Sequence, residues 1–164
     1  MNAVSTADNP ADVVEIVLGL GSNNGDDRFG WSVVDELMRG KTTATLCKLA
    51  HPIDVLPWLG QATRVHLVDA VVGLSSDTAF MCLEFSNPDH RSRLRNLRCR
   101  GTHDLGVYAS LMMAQTLGMP THHVLLWMGP ASEFQPLGEM SETTRASVRQ
   151  TAAQLSALFD SPAF

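Results

Sequence analysis

The stretch Val13-Val-Glu-Ile-Val-Leu-Gly-Leu20, with the loop and helical pattern directly after it, constrains the fold most. A β-branched, mostly apolar run that ends in glycine has the character of a buried strand. It leads through a loop, Gly21-Ser-Asn-Asn-Gly-Asp26, to Gly30, Val33, Val34, Leu37 and Met38. Those five fall at i, i+3, i+4, i+7 and i+8, so they line one face of a helix, which Gly40 stops. A strand that turns through glycine into an amphipathic helix opens a βαβ unit. Such units build parallel sheets with helices over their faces.

The remaining chain continues the alternation. Residues 42–49 are Thr-rich and suit a second strand, and residues 53–59 a brief helix or turn broken by Pro57. Arg64-Val-His-Leu-Val-Asp-Ala-Val-Val72 is a third strand, apolar almost throughout, as strands covered on both faces are. Residues 78–85 suit a fourth strand, 87–101 a polar, basic connection, and 102–117 a helix closed by Gly118. Residues 123–128 form a fifth strand. Ser141 is placed as the N-cap of a last helix on which Val148, Ala152, Leu155 and Phe159 recur at helical spacing. The expected architecture is a three-layer α/β/α sandwich around a mostly parallel, five-stranded sheet, occupying residues 13–164 as one domain after a flexible opening, 1–12.

Composition narrows the function classes. A chain of 164 residues, 45% hydrophobic and 18% charged, suits one ordinary soluble domain. No apolar run approaches the roughly 20 residues of a membrane span, and the opening lacks the basic start and apolar centre of a secretory signal. Cytoplasmic location, no membrane partner and a monomer are expected. Cys47, Cys82 and Cys99 are odd in number, widely spaced and without a C-x-x-C, so reduced thiols are expected rather than disulfides or a Cys-based zinc site. The net charge of −5 hides Arg91, Arg93, Arg95, Arg98 and Arg100, which leave seven basic against seventeen acidic residues elsewhere. An acidic body argues against nucleic acid as a partner.

Ligands of open parallel sheets bind beyond the carboxyl ends of the strands. That rule selects Asp26-Asp27 after the first strand, Asp69 at the end of the third, and His103 at the head of the helix after the fourth. Two carboxylates and an imidazole can hold a divalent metal such as Ni²⁺ or Zn²⁺, or activate water by acid–base chemistry. Each also has a plainer role open to it. Acids in a helix's first turn satisfy free N–H groups, Asp69 could tie down a neighbouring loop, and His103 could simply begin a helix. His66, His122 and His123 have no matching partner in the sequence and read as structural; His51 and His90 read as loop residues. The Gly19-Leu-Gly21-Ser-Asn-Asn24 loop lacks the third glycine and the later acid of a dinucleotide site, and neither a P-loop lysine nor a G-x-S-x-G elbow is present.

Together these segments resemble the hydrogenase maturation proteases, endopeptidases that trim the C-terminal tail from the large subunit of nickel-iron hydrogenases. Leu18-Gly-Leu-Gly21 with Gly25-Asp-Asp-Arg-Phe-Gly30 resembles the family's opening strand and acid pair. Val68-Asp69-Ala70 resembles its middle strand end, and Gly101-Thr-His-Asp-Leu-Gly106 its Thr-His helix start. Leu117-Gly-Met-Pro120, Phe134-Gln-Pro136 and Ser141 resemble its tail, so the likeness runs from about Val14 to Leu158. The resemblance implies a peptidase whose Asp27, Asp69 and His103 contact nickel brought in by the precursor of the large subunit, another divalent metal being able to replace it in the isolated protein. The resemblance leaves open whether the metal, an aspartate-activated water or both cleave the peptide, and Asp27 and Asp69 are the candidate bases for an aspartate-type cleavage. Ser22, where the family usually has Asn, and Arg28, where it commonly has Gly, mark a divergent member.

Two other functions share some of these features. A non-cleaving nickel-sensing or chaperone module for the same precursor would keep the same three ligands. Peptidyl-tRNA hydrolase has a similar Gly-Leu-Gly opening, but its Thr-Arg-His-Asn motif has no counterpart among residues 26–31.

Overall fold

A computed structural model describes residues 13–75, 77–97 and 106–160. Five strands form one sheet: β1 (Glu15–Leu20), β2 (Thr45–Leu49), β3 (Arg64–Val72), β4 (Met81–Glu84) and β5 (Val124–Ala131), in the order β2-β1-β3-β5-β4. All neighbours are parallel except β4, which runs antiparallel to β5. The α-helices are α1 (Phe29–Arg39), α2 (Pro88–Asn96), α3 (Val107–Thr116) and α4 (Glu142–Asp160). Short 3-10 segments occupy Gly25–Arg28 and Pro52–Trp58, the second with Pro57 inside it.

Alternation along the strands divides the core in two. Ile16, Leu18 and Leu20 of β1, with Val65, Leu67 and Val71 of β3, pack beneath Val55, Leu94, Val107 and Leu111 of the second 3-10 segment, α2 and α3. Val17, Val68 and Ala70 point the other way, onto Phe29, Val33 and Leu37 of α1 and Val148 and Leu155 of α4. Period-2 strands between two helical layers require this sorting. The expected three-layer sandwich is therefore present.

The structure departs from the expected elements chiefly in two places. Residues 87–101 are not all connection: Asn87 accepts from the N–H groups of Asp89 and His90, Pro88 starts the first turn, and α2 runs on from there. Its single buried residue, Leu94, leaves no apolar stripe for periodicity to detect. The fourth strand begins at Met81 rather than 78, because Thr78 closes a turn on Ser75 and the Ala79 carbonyl accepts from Ser147 Oγ of α4. The helix after it is described from Val107, and the opening residues 1–12 lie outside the described residues. Ser141 does cap α4, its Oγ accepting from the N–H of Thr144 at 3.3 Å. No described helix is long and apolar enough to cross a membrane.

Candidate active site

The connection from β1 leads to β2 on one side, whereas β3 leads on toward β5 and β4 on the other. The β1–β3 boundary is thus the point where strand order reverses, and a crevice opens beyond the strand ends there. The β1–β3 ladder runs only to Gly19↔Val68, while β3 stays paired with β5 as far as Val72↔Ala131. Asp69, expected at the end of its strand, lies instead three residues short of it, immediately past the last β1–β3 pair. Alternation with Leu67 and Val71 turns its side chain toward the α2–α3 layer. The residue is buried, and one carboxylate oxygen accepts from the N–H of Ala70 at 2.8 Å.

Asp27 approaches the same boundary from β1. It lies in the 3-10 turn between β1 and α1, half-buried, and accepts from Ser22 Oγ at 2.5 Å. The main chain closes the same loop, Ser22 N–H donating to the Asp27 carbonyl at 3.2 Å. Two glycines permit this approach. A Cβ on Gly21 would lie 2.2 Å from the Asp27 carbonyl oxygen, and one on Gly30 would lie 2.2 Å from the Leu20 oxygen and 2.4 Å from that of Val68. Contacts that short are not tolerated, so only glycine lets α1 start against the ends of β1 and β3. Asp27 and Asp69 are thereby brought to adjoining elements at one end of the sheet.

His103, the third expected site residue, lies outside the described residues, as do Arg98, Cys99 and Arg100. Among the described residues no group of three or more His, Cys, Asp or Glu is placed to hold a metal ion.

Asp26 takes a different role from its neighbour. Fully buried, it accepts from the N–H groups of Ser132, Glu133 and Ser141 at 2.8, 2.9 and 2.7 Å, and from Ser141 Oγ at 3.0 Å. Burial alone would raise its pKa, but these donors outweigh burial and hold the carboxyl below its ordinary value. Asp26 is therefore the anchor that ties the β1–α1 loop to the β5–α4 loop, and not an acid serving the free N–H groups of its own helix, the plainer role its position suggests. Ser22, which the sequence marks only as a departure from the family pattern, is the residue that holds the Asp27 carboxylate. Its signal would have been a hydroxyl five residues before an acid in a glycine-bounded loop.

Three of the other histidines make structural hydrogen bonds. His66 is fully buried, with Nε2 2.7 Å from Glu15 and Nδ1 accepting from Trp127 Nε1 at 3.1 Å. His123 donates to the Leu59 carbonyl at 2.8 Å; burial, together with neighbouring His122, pulls its pKa down. His90, expected in a loop, lies in α2, where its Nδ1 accepts from the N–H of Glu84. Cys47 and Cys82 are free thiols.

No family model matches the sequence, and no curated protein matches it. Solved structures do. The hydrogenase-maturating endopeptidase HybD of E. coli superposes with a TM-score of 0.69 at 18% identity, covering 88% of this chain and 91% of its own. The [NiFe] hydrogenase maturation protease HycI of Thermococcus kodakarensis KOD1 gives 0.67 at 17% identity, over 91% of this chain and 94% of that one. A hydrogenase 2 maturation peptidase from Thaumarchaeota archaeon SCGC_AB-539-E09 is 25% identical, with a TM-score of 0.59 over 88% of this chain and 97% of its own. Carried by a five-stranded, mostly parallel sheet with its acids at the β1–β3 boundary, the chain has the fold of the [NiFe] hydrogenase maturation proteases.

Proposed function

We propose that the protein is a maturation endopeptidase that removes the C-terminal extension of a nickel-loaded hydrogenase large-subunit precursor. The observation that carries this reading is the placement of Asp27 and Asp69 on either side of the strand-order reversal, in a fold shared with such proteases over about nine-tenths of the chain. On this reading Asp27, Asp69 and His103 meet the nickel already seated in the precursor, so the metal belongs to the substrate. An incomplete O,O,N set suits that task, because it can complete a metal's coordination without stripping the metal from its owner.

Hydrolysis then needs a water, a base and a proton for the leaving amine. Asp27 or Asp69 takes a proton from the water, whose oxygen bonds to the scissile carbonyl carbon. The C–N bond breaks, and the proton goes to the amine nitrogen. Ser22 positions the Asp27 carboxylate for this work.

The test is the intact mass of a nickel-loaded large-subunit precursor before and after incubation with the protein, beside a nickel-free precursor. Loss of a C-terminal fragment from the nickel-loaded sample alone is expected. An unchanged mass despite complex formation would favour a non-cleaving, nickel-sensing module.

A further inference from the structure

Two arginines of the basic stretch line a cleft on the face of the sheet toward which Asp69 points. The cleft, about 390 Å³, lies between α2 and α3 and is bounded by Arg91, Ser92 and Arg95 on one side and Tyr108, Met112 and Gln115 on the other. Arg91 and Arg95 stand one helical turn apart, with side chains on the same side of α2. Among the described residues no carboxylate lines the cleft. Among them too, Arg91 and Arg95 have no acidic partner, unlike Arg39, Lys48 and Arg64, which pair with Glu36, Asp35 and Glu15. A protein with net charge −5 thus leaves two guanidiniums unpaired beside a phenol, an amide and a hydroxyl, all able to donate.

The wall that bears them is fixed in place. Asn87 caps α2, His90 accepts from the backbone of β4, and Arg91 lies 5.9 Å over the ring of Phe85, which is buried. A guanidinium already held on an aromatic face loses less freedom when it binds.

We propose that this cleft docks an acidic peptide segment of a protein partner. The spacing favours a peptide over a small anion. Side chains on one edge of an extended chain repeat about every 7 Å, close to the roughly 6 Å separating residues one helical turn apart. Successive carboxylates can therefore each meet one arginine, with Met112 beneath the aliphatic part of the segment. Docking is independent of the proposed cleavage, because neither Asp27 nor Asp69 enters its test.

The test uses a fluorescein-labelled peptide of alternating Glu and Gly, followed by anisotropy with the full chain. Saturable binding is expected, weakening as salt rises from about 0.05 to about 0.3 M. Arg95→Glu, on an exposed side chain, should reduce affinity about tenfold or more, and Arg91→Gln several-fold. Arg149→Glu, on α4 across the sheet, should leave it unchanged. The proposal is overturned by any of three results: no binding to the unaltered protein, equal loss in Arg149→Glu and Arg95→Glu, or displacement of the peptide by inorganic phosphate at matched charge.

Discussion

Ser22 Oγ donates to the Asp27 carboxylate at 2.5 Å, across a turn that the Ser22 N–H also closes onto the Asp27 carbonyl. A hydrogen bond to a charged acceptor is worth about 1.5–3 kcal/mol, and here it fixes the rotamer of an acid proposed to work on the substrate. Ser22→Ala is expected to lower precursor processing by about tenfold or more, and to lower the unfolding free energy in urea by no more than about 3 kcal/mol. The acidic limb of the pH–rate profile should move upward, because removing a donor to the ionised carboxylate makes it easier to protonate. Ser22→Thr, which keeps the hydroxyl, should restore most of the rate. A purely structural serine would change stability and leave the pH profile in place.

Asp26 tests the separation of the two adjacent acids. Its carboxylate serves three backbone N–H groups and one hydroxyl, so Asp26→Ala strands several buried donors and is expected to cost about 3 kcal/mol or more by urea unfolding. The pH dependence follows from its lowered pKa. The stabilisation is fully present above the unfolded carboxylate value of about 4, and is lost as pH falls through the lower folded value. Urea midpoints should therefore drop below about pH 4 in the unaltered protein, and that drop should shrink in Asp26→Asn. An unchanged acid limb in Asp26→Asn would show that other carboxylates control it.

How much of this was legible in the sequence depends on the distance over which each residue's partners lie. Val33, Val34 and Leu37 announce α1 because their spacing is local, and the nearly apolar run of β3 announces burial on both faces. Asp26 and Asp27 are indistinguishable by local chemistry, since both are acids in a first turn. Only contacts to Ser132 and Ser141, more than a hundred residues away, make one an anchor and leave the other at the β1–β3 boundary. The same holds for His66, whose partners Glu15 and Trp127 lie 51 and 61 residues off. Helix α2 is hidden because capping rather than an apolar stripe defines it, and of β4 only the antiparallel direction is hidden, because strand direction leaves no trace in periodicity.

His66 gives a prediction remote from the site. The indole N–H of Trp127 can only donate, so Nδ1 of His66 must accept, and the proton sits on Nε2 facing Glu15. Long-range nitrogen-15 NMR at neutral pH is expected to show Nδ1 unprotonated. Trp127→Phe removes that donor and should cost about 1–3 kcal/mol without lowering processing. A protonated Nδ1 in the unaltered protein would contradict the hydrogen-bond assignment.

Gly30 links packing to the site more directly. A single added methyl would meet the carbonyl oxygens of Leu20 and Val68 at 2.2 and 2.4 Å, both backbone atoms that cannot rotate away. Gly30→Ala must push α1 off the ends of β1 and β3, at a cost of about 3 kcal/mol or more, visible in the melting temperature. Because the 3-10 turn bearing Asp27 precedes α1 directly, any folded fraction should also process precursor poorly.

Asp69→Asn isolates charge from fold. Asparagine keeps an oxygen able to accept from the N–H of Ala70 and fits nearly the same volume, so the urea midpoint should change by less than about 1 kcal/mol equivalent. Processing should nevertheless fall by about a hundredfold or more, since a neutral amide neither takes a proton from water nor binds a divalent metal as a carboxylate does. Asp27→Asn and His103→Ala are expected to behave alike, and pairs of these changes should cost little more than one, as residues acting as a unit do. Full processing activity in any two of the three single variants would refute the site, and multiplicative losses in the pairs would show that the three act separately.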